Sequence, residues 1–596
     1  MNLQGIHQLK EQFERGTLTP TELVKQIGRK LDNEDPAIWI HRISHESLLE
    51  RARDLEKTSP KELPLYGIPF AVKDNIDIAG CPTSAGCPDF TYLAKEHATV
   101  VKLLLEAGGL LIGKTNMDQF ATGLVGTRSP YGVPGNAFDS SYIPGGSSSG
   151  SAVAVAKGLV AFSLGTDTAG SGRVPASFQN LLGFKPTRGK LSCQGVVPAC
   201  RSLDCVSIFG LQVEDLSIVE KILAMPDPKD PYSRKAPEFA STQQREVPKV
   251  ALLPPHQLEF FGDELAQKAY QESLEVLSQS GLELEVFDMS PFLEAAGLLY
   301  GGPWVAERYL ACNPLIEQSP ESFQPETLEV IKGGKESLAL DAFEAQYQLA
   351  EYRRQTESVW ESFDFLALPT TGTIFTQEEI AKDPIGLNSK LGHYTNFMNL
   401  LDLCGCAVPT AFRKDGLPTG LTLAAPAFHD QAVLKWAGRI HQAAQTGAGL
   451  DRSFVPEPLT TVETDLFLDL FVCGAHMKGL PLNRQLADLG SEFLRTTDTA
   501  PTYRLYVLPS TQGLPERPGL VRCSAKTQPI RGEIWRMPER NFGAFMKKIL
   551  YPLGISQVLL RDGSSVYGFC CDASGVNGCK EITELGGWRA HLEQDA

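Results

Sequence analysis

Between Gly145 and Ala176 the chain reads GGSSSGSAVAVAKGLVAFSLGTDTAGSGRVPA, two serine-glycine clusters bracketing one apolar segment. Small residues there let the backbone and a bound molecule approach each other closely. A helix beginning near Ser149 and a strand ending near Thr166 bring Ser147 and Ser171, 171 − 147 = 24 residues apart, to one place.

The second cluster also supplies consecutive backbone N–H groups at Thr168, Ala169, Gly170 and Ser171. A turn aiming them at a single oxygen is an oxyanion hole. No histidine lies between His97 and His256, so a Ser-His-Asp arrangement would need a distant partner. A lysine base suits a serine nucleophile here better. Two familiar motifs match only on paper. Gly146, Ser148 and Gly150 satisfy G-x-S-x-G, but Pro144 and two glycines stand where that motif needs a strand. Gly165 and Gly170 have P-loop spacing, yet Ser171 occupies the position of the phosphate-binding lysine. Serine in a glycine turn is most often a turn former, and Asp167 and Arg173 are expected to brace this turn as an ion pair.

GGSSSGS and GTDTAGSGRVP, with the upstream LYGIPFAVKDNID from Leu65 to Asp77 and QNLLGFKPTR from Gln179 to Arg188, closely resemble the amidase signature family. The resemblance implies Ser171 as nucleophile, Ser147 as proton relay and Lys73 as base. Lys73 follows the apolar run GIPFAV. Such a strand-end lysine usually snorkels to solvent, whereas burial makes it a base by lowering its pKa. Further matches in FDFLALPTT, TNFMNLLDLCGCAVPT and GLPTGLTLAAP, read as late strands and loops, extend the resemblance over nearly all of residues 1–450. The implied fold class is α/β, a mixed β-sheet core covered by helices.

In LYGGPWVAERYL, Pro303 is placed to start a helix, with Arg308 one turn after Trp304 and Tyr300 in the entering loop. An arginine on a helix is usually solvated. This segment, however, resembles one in the allophanate hydrolases of the same family, which implies that Tyr300 and Arg308 hold a substrate carboxylate. A guanidinium fork donates two parallel hydrogen bonds to such a group. Gly123, in QFATGLVGTRSPYG, aligns with a substrate-contacting glycine there.

A chain of 596 residues suggests more than one domain. Near the N-terminus, residues 5–33 read as two helices broken at Gly16, the second opened by a Thr19–Glu22 capping box with Pro20 at its first position. Residues 451–465 are polar, proline-containing and without period, as a linker is. Residues 466–596 carry 15 Lys+Arg against 13 Asp+Glu, net +2, leaving −16 − 2 = −18 for the first 465. YRLYVLP, EIWRMP and SVYGFCCD read as strands and LADLGSEFL and NFGAFMKKIL as helices, a small α+β domain. FVCGAHMKGLPLN, GEIWRMPERNFGAFM and ITELGGWRAHL resemble the C-terminal domain of allophanate hydrolases, whose fold is like γ-glutamyl cyclotransferase. That resemblance implies that His476 helps process the first product. His476 and Cys473 alone do not make a metal site, and no cofactor is implied.

The net charge of −16 argues against nucleic acid or an anionic membrane as partner. The N-terminus is polar from the start, unlike a signal peptide, and no stretch has membrane-spanning length. Thirteen scattered cysteines without a C-x-x-C pair suggest reduced thiols in a cytoplasm. The resemblance implies allophanate as substrate, a homodimer and a functional link to urea carboxylase. A broad-specificity amidase or the amidase component of an amidotransferase, with the C-terminal domain as a docking module, is the alternative.

Overall fold

The computed structural model describes residues 4–237, 245, 247–457, 467–510 and 515–594. It divides into two compact units, Met1–Thr460 and Thr461–Ala596. Of the expected linker, residues 458–465 lie outside the described residues.

The first unit is built on an eleven-stranded mixed sheet. In spatial order its strands are Trp39–Arg42, Leu110–Thr115, Pro69–Lys73, Phe162–Asp167, Cys205–Gly210, Leu182–Lys185, Leu403–Phe412, Pro418–Pro426, Phe365–Pro369, Lys249–Leu252 and Glu283–Val286. Pro69–Lys73 runs parallel to both of its neighbours, Leu110–Thr115 and Phe162–Asp167. All three are buried at every position, as strands covered on both faces must be. With Val72 opposite Leu164, the carboxyl ends of two parallel strands emerge side by side, one carrying Lys73 and the other Thr166.

The helix Ser149–Ala156 is buried at all eight positions, which its small side chains permit. A β-carbon on Gly150 would stand 2.3 Å from the Ile38 carbonyl oxygen and 2.6 Å from the Asn116 nitrogen. Glycine there lets the helix lie directly against its neighbours and so fixes where its first turn, just after Ser147, can sit. At the N-terminus the helices Ile6–Glu14 and Pro20–Leu31 form around Gly16, and the Thr19–Glu22 capping box closes.

In the second unit a five-stranded sheet runs Glu492–Asp498, Arg531–Pro538, Phe467–Val472, Ser565–Cys571, Leu553–Leu559, beside a three-stranded sheet of Arg517–Arg522, Tyr503–Leu508 and Lys580–Glu581. Phe471, Tyr503, Ile534, Phe545 and Trp588 lie in its core. LADLGSEFL departs from the helical expectation. Only Arg484–Ala487 is helical, and Glu492–Asp498 pairs antiparallel with Arg531–Pro538. Gly490, at φ +70°, ends the helical turn, and the sheet edge captures the following residues. TNFMNL likewise contains a short helix, Phe397–Leu400. All thirteen cysteines are free, Cys570 and Cys571 both on one strand. Among the described residues no helix is long and apolar enough to cross a membrane.

Candidate active site

At the carboxyl ends of the two parallel strands three side chains form a chain of contacts. Lys73 Nζ lies 2.7 Å from Ser147 Oγ, and Ser147 Oγ lies 2.9 Å from Ser171 Oγ. Lys73 Nζ also donates to Thr166 Oγ1 at 2.8 Å, and the same oxygen accepts from Asn75 Nδ2 at 3.3 Å. Lys73 and Ser147 are fully buried and Ser171 nearly so. Burial pulls the Lys73 ammonium down from its ordinary value to about 7. The carboxylates of Asp118, Asp204 and Asp167 oppose that fall, and the Arg308 charge adds to it. Near neutral pH a large fraction of Lys73 is therefore an uncharged amine.

Ser147 follows a cis peptide bond from Gly146. Its carbonyl accepts the Asp118 backbone N–H at 3.1 Å. The Asp118 carboxylate in turn accepts the N–H groups of Gly126 at 3.0 Å and Arg128 at 2.9 Å. A β-carbon on Gly146 would fall 2.1 Å from Asp118 Oδ2, so the carboxylate seats the loop directly beneath Ser147.

The turn bearing Ser171 is braced from inside. Arg173 Nε meets Asp167 Oδ2 at 2.9 Å and its Nη2 meets Oδ1 at 3.0 Å, both side chains fully buried. The same carboxylate accepts Gly170 N–H at 2.8 Å and Gly172 N–H at 3.0 Å. This removes Gly170 from the four expected oxyanion donors, because the group that rigidifies the turn already holds its hydrogen. The N–H groups of Thr168, Ala169 and Ser171 donate to no protein acceptor among the described residues. Thr168 Oγ1 is tied to Asp204 Oδ1, which also accepts Cys200 N–H at 3.2 Å.

Arg308 lies in the helix Val305–Cys312 and is 1% exposed. Its Nη1 donates to Thr122 Oγ1 at 3.0 Å and to the Ala121 carbonyl at 3.3 Å, and its Nη2 to Tyr300 OH at 3.1 Å. The guanidinium carbon stands 5.1 Å from the centre of the Tyr300 ring. Among the described residues no carboxylate pairs with it, and its Nε has no partner. Tyr300 is in the last turn of the helix Ser290–Gly301, not in a loop, because buried Phe292, Ala295 and Leu299 carry the helical period up to it. Pro303 falls in the turn before the next helix. Gly123, at φ +153°, follows Thr122 directly, and a β-carbon on it would lie 2.7 Å from Asp118 Oδ2.

In the second unit His476 follows the strand Phe467–Val472. Its ring stacks on Phe569 with centroids 4.9 Å apart and meets the edge of Phe545 at 5.4 Å. Burial lowers its pKa, the Gln485 contact opposes this, and Lys548 adds to the fall. Nε2 lies 3.2 Å from Gln485 Oε1, a contact that suits the tautomer with hydrogen on Nε2 and the lone pair on Nδ1.

Residues 22–434 match the protein family described as Amidase. The chain belongs to the amidase family. Residues 468–593 of this amidase match the allophanate hydrolase C-terminal domain. It is 42% identical over 572 residues to the urea amidolyase of Saccharomyces cerevisiae, an alignment covering 93% of this chain and 31% of that protein. With the urea amidolyase of Lachancea kluyveri it shares 42% identity over 584 residues, 95% of this chain and 32% of the other. The chain thus spans about a third of the length of the urea amidolyases it matches. Among solved structures, SeMet-substituted Kluyveromyces lactis allophanate hydrolase superposes with a TM-score of 0.73 at 40% identity, covering 98% of each chain.

Four residues of the amidase site were not singled out in the sequence: Thr166 and Asn75 around the Lys73 amine, and Asp118 and Asp204 beneath the two loops. Thr166 and Asn75 stand inside GTDTAGSG and VKDNID, and their place at the ends of two adjacent strands is the signal that could have found them. Asp118 and Asp204 stand outside the motifs, and the contacts that tie them to the site, with Ser147 and Thr168, are long-range.

Proposed function

We propose that this amidase hydrolyses the terminal carboxamide of allophanate, with Ser171 as nucleophile, Ser147 as relay and Lys73 as base. The observation that carries the reading is Arg308, a buried guanidinium held by neutral acceptors and lacking a carboxylate partner among the described residues. Asp204 acts on this charge without pairing with it; a buried charge left without a hydrogen-bonded counter-ion is costly, and a substrate carboxylate supplies one through a two-point hydrogen-bonded pair. Tyr300 and Gly123 flank that position.

The uncharged Lys73 amine takes the Ser147 proton as Ser147 takes that of Ser171, and Ser171 Oγ bonds to the carboxamide carbon. The N–H groups of Thr168, Ala169 and Ser171 receive the oxyanion. The relay returns a proton to the leaving nitrogen, the C–N bond breaks and ammonia departs. Water then adds to the acyl-enzyme by the reverse proton path, freeing Ser171 and releasing N-carboxycarbamate. In the second unit His476, neutral and with Nδ1 free to accept a proton, assists conversion of that product to carbon dioxide and ammonia. The likeness to urea amidolyases supports a functional link to a urea carboxylase. Thirteen free thiols support a cytoplasmic setting, and a homodimer completes the reading.

The test is ammonia released per allophanate consumed by the intact chain, by Ser171→Ala and by His476→Ala. Turnover that vanishes in Ser171→Ala and an altered product yield in His476→Ala are expected. Cleavage of simple carboxamides with no action on allophanate would defeat the substrate assignment while sparing the amidase chemistry. Unchanged stoichiometry in His476→Ala would reduce the second unit to a docking role.

A further inference from the structure

An arginine that receives a substrate anion has two conflicting needs: its fork must be held still, and its charge must stay unspent. A carboxylate neighbour would meet the first need and defeat the second. Arg308 makes its hydrogen bonds instead to three neutral oxygens, those of Thr122, Ala121 and Tyr300, and the Asp204 carboxylate acts on it without an ion pair among the described residues. The Thr122 hydroxyl makes the shorter of the two Nη1 contacts. Its own hydrogen goes to the Phe120 carbonyl at 3.2 Å, so a lone pair is left facing Arg308.

The segment carrying this hydroxyl is fixed by packing. Phe120 and Ala121 both adopt positive φ, 50° and 51°. The Phe120 ring stacks on Phe323 with centroids 5.2 Å apart and meets the edge of Phe90 at 5.1 Å. Thr122 itself is 1% exposed. Its place is thus set by the chain preceding Gly123, while Arg308 arrives from a helix 186 residues later.

We infer that Thr122 is a positioning residue that makes this amidase selective for a substrate carrying a carboxylate, by fixing the Arg308 fork without neutralising it. The inference rests on the proposed role of Arg308. Thr122→Val keeps the shape and removes the acceptor, leaving Nη1 with the longer contact to Ala121. Losing one hydrogen bond to a charged group raises KM for allophanate about ten-fold. With the nucleophile and relay untouched, kcat stays within about two-fold.

The experiment measures kcat and KM of wild type, Thr122→Val, Thr122→Ser and Arg308→Met on allophanate. It also measures kcat/KM on biuret, which replaces the carboxylate by an uncharged amide. The expected result is a raised KM for allophanate in Thr122→Val, an unchanged kcat/KM for biuret, and recovery of wild-type KM in Thr122→Ser. An unchanged allophanate KM in Thr122→Val overturns the inference, as does an equal loss on both substrates or a raised KM in the serine variant. Should the valine variant not fold, Thr122→Ala, which also removes the acceptor, replaces it: a raised allophanate KM with biuret unchanged supports the inference, and an unchanged allophanate KM overturns it. If Arg308→Met leaves the allophanate KM unchanged, the underlying reading of Arg308 fails; if only Thr122→Val does, the reading stands and the inference falls.

Discussion

Lys73 and Thr166 face each other from two parallel strands, the lysine Nζ 2.8 Å from the threonine Oγ1. Together with the contact from Nζ to Ser147 Oγ, 2.7 Å away, it fixes the nitrogen between the two hydroxyls. The end of a long flexible side chain is thereby held in one place.

In the proposed mechanism the reactive form is the uncharged Lys73 amine, and burial brings its pKa to about 7, so kcat/KM is expected to rise with pH through about 7 and level off above it. The sign follows from burial, which disfavours the ammonium. Asp118 opposes that effect, so Asp118→Asn moves the rising limb to lower pH. A pH–rate profile with no ionisation between pH 6 and pH 8 (roughly the unit either side of that value) would exclude Lys73 as the base.

The Asp167–Arg173 pair is buried and two-pointed. Arg173→Gln leaves an unpaired buried carboxylate and is expected to cost about 3–5 kcal/mol of stability, as broken buried pairs do. The loss should be read from denaturant unfolding of the intact chain. A change below about 1 kcal/mol would mean that the turn holds itself.

Gly150→Ala drives a methyl group to within 2.3 Å of the Ile38 carbonyl. Overpacking at such a site costs about 1–3 kcal/mol, and the strain falls at the first turn of the helix that follows Ser147. Lower thermal stability together with reduced kcat is expected. Wild-type values for both would show that the neighbouring strand and helix yield without cost.

With Gln485 Oε1 accepting at 3.2 Å, His476 is expected to carry its hydrogen on Nε2. Nitrogen chemical shifts of the ring should report this form in the wild-type chain and a mixture in Gln485→Leu. The pKa of His476 should fall further in that variant, because the Gln485 contact is what raises it against burial. Identical spectra from both proteins would remove Gln485 from the account.

That Ser147 and Ser171 come together was legible in the sequence because the helix and strand between them follow from local residues, and the motif resemblance pointed to Lys73 beside them, where the structure puts its Nζ. The bracing role of Asp167 and Arg173 was legible for the same reason, the two being six residues apart in one turn. The capping box at Thr19 likewise needed only neighbours. Burial and long-range pairing were decided by the tertiary structure. Arg308 reads as a solvated helix residue until the loop Phe120–Thr122 closes over it. Gly170 reads as a free donor until the Asp167 carboxylate turns inward, and residues 492–494 read as helix until a sheet edge claims them. Hydrophobic period and turn chemistry act over a few residues, whereas the solvation of a charge and the partner of an N–H depend on which distant segments pack around them.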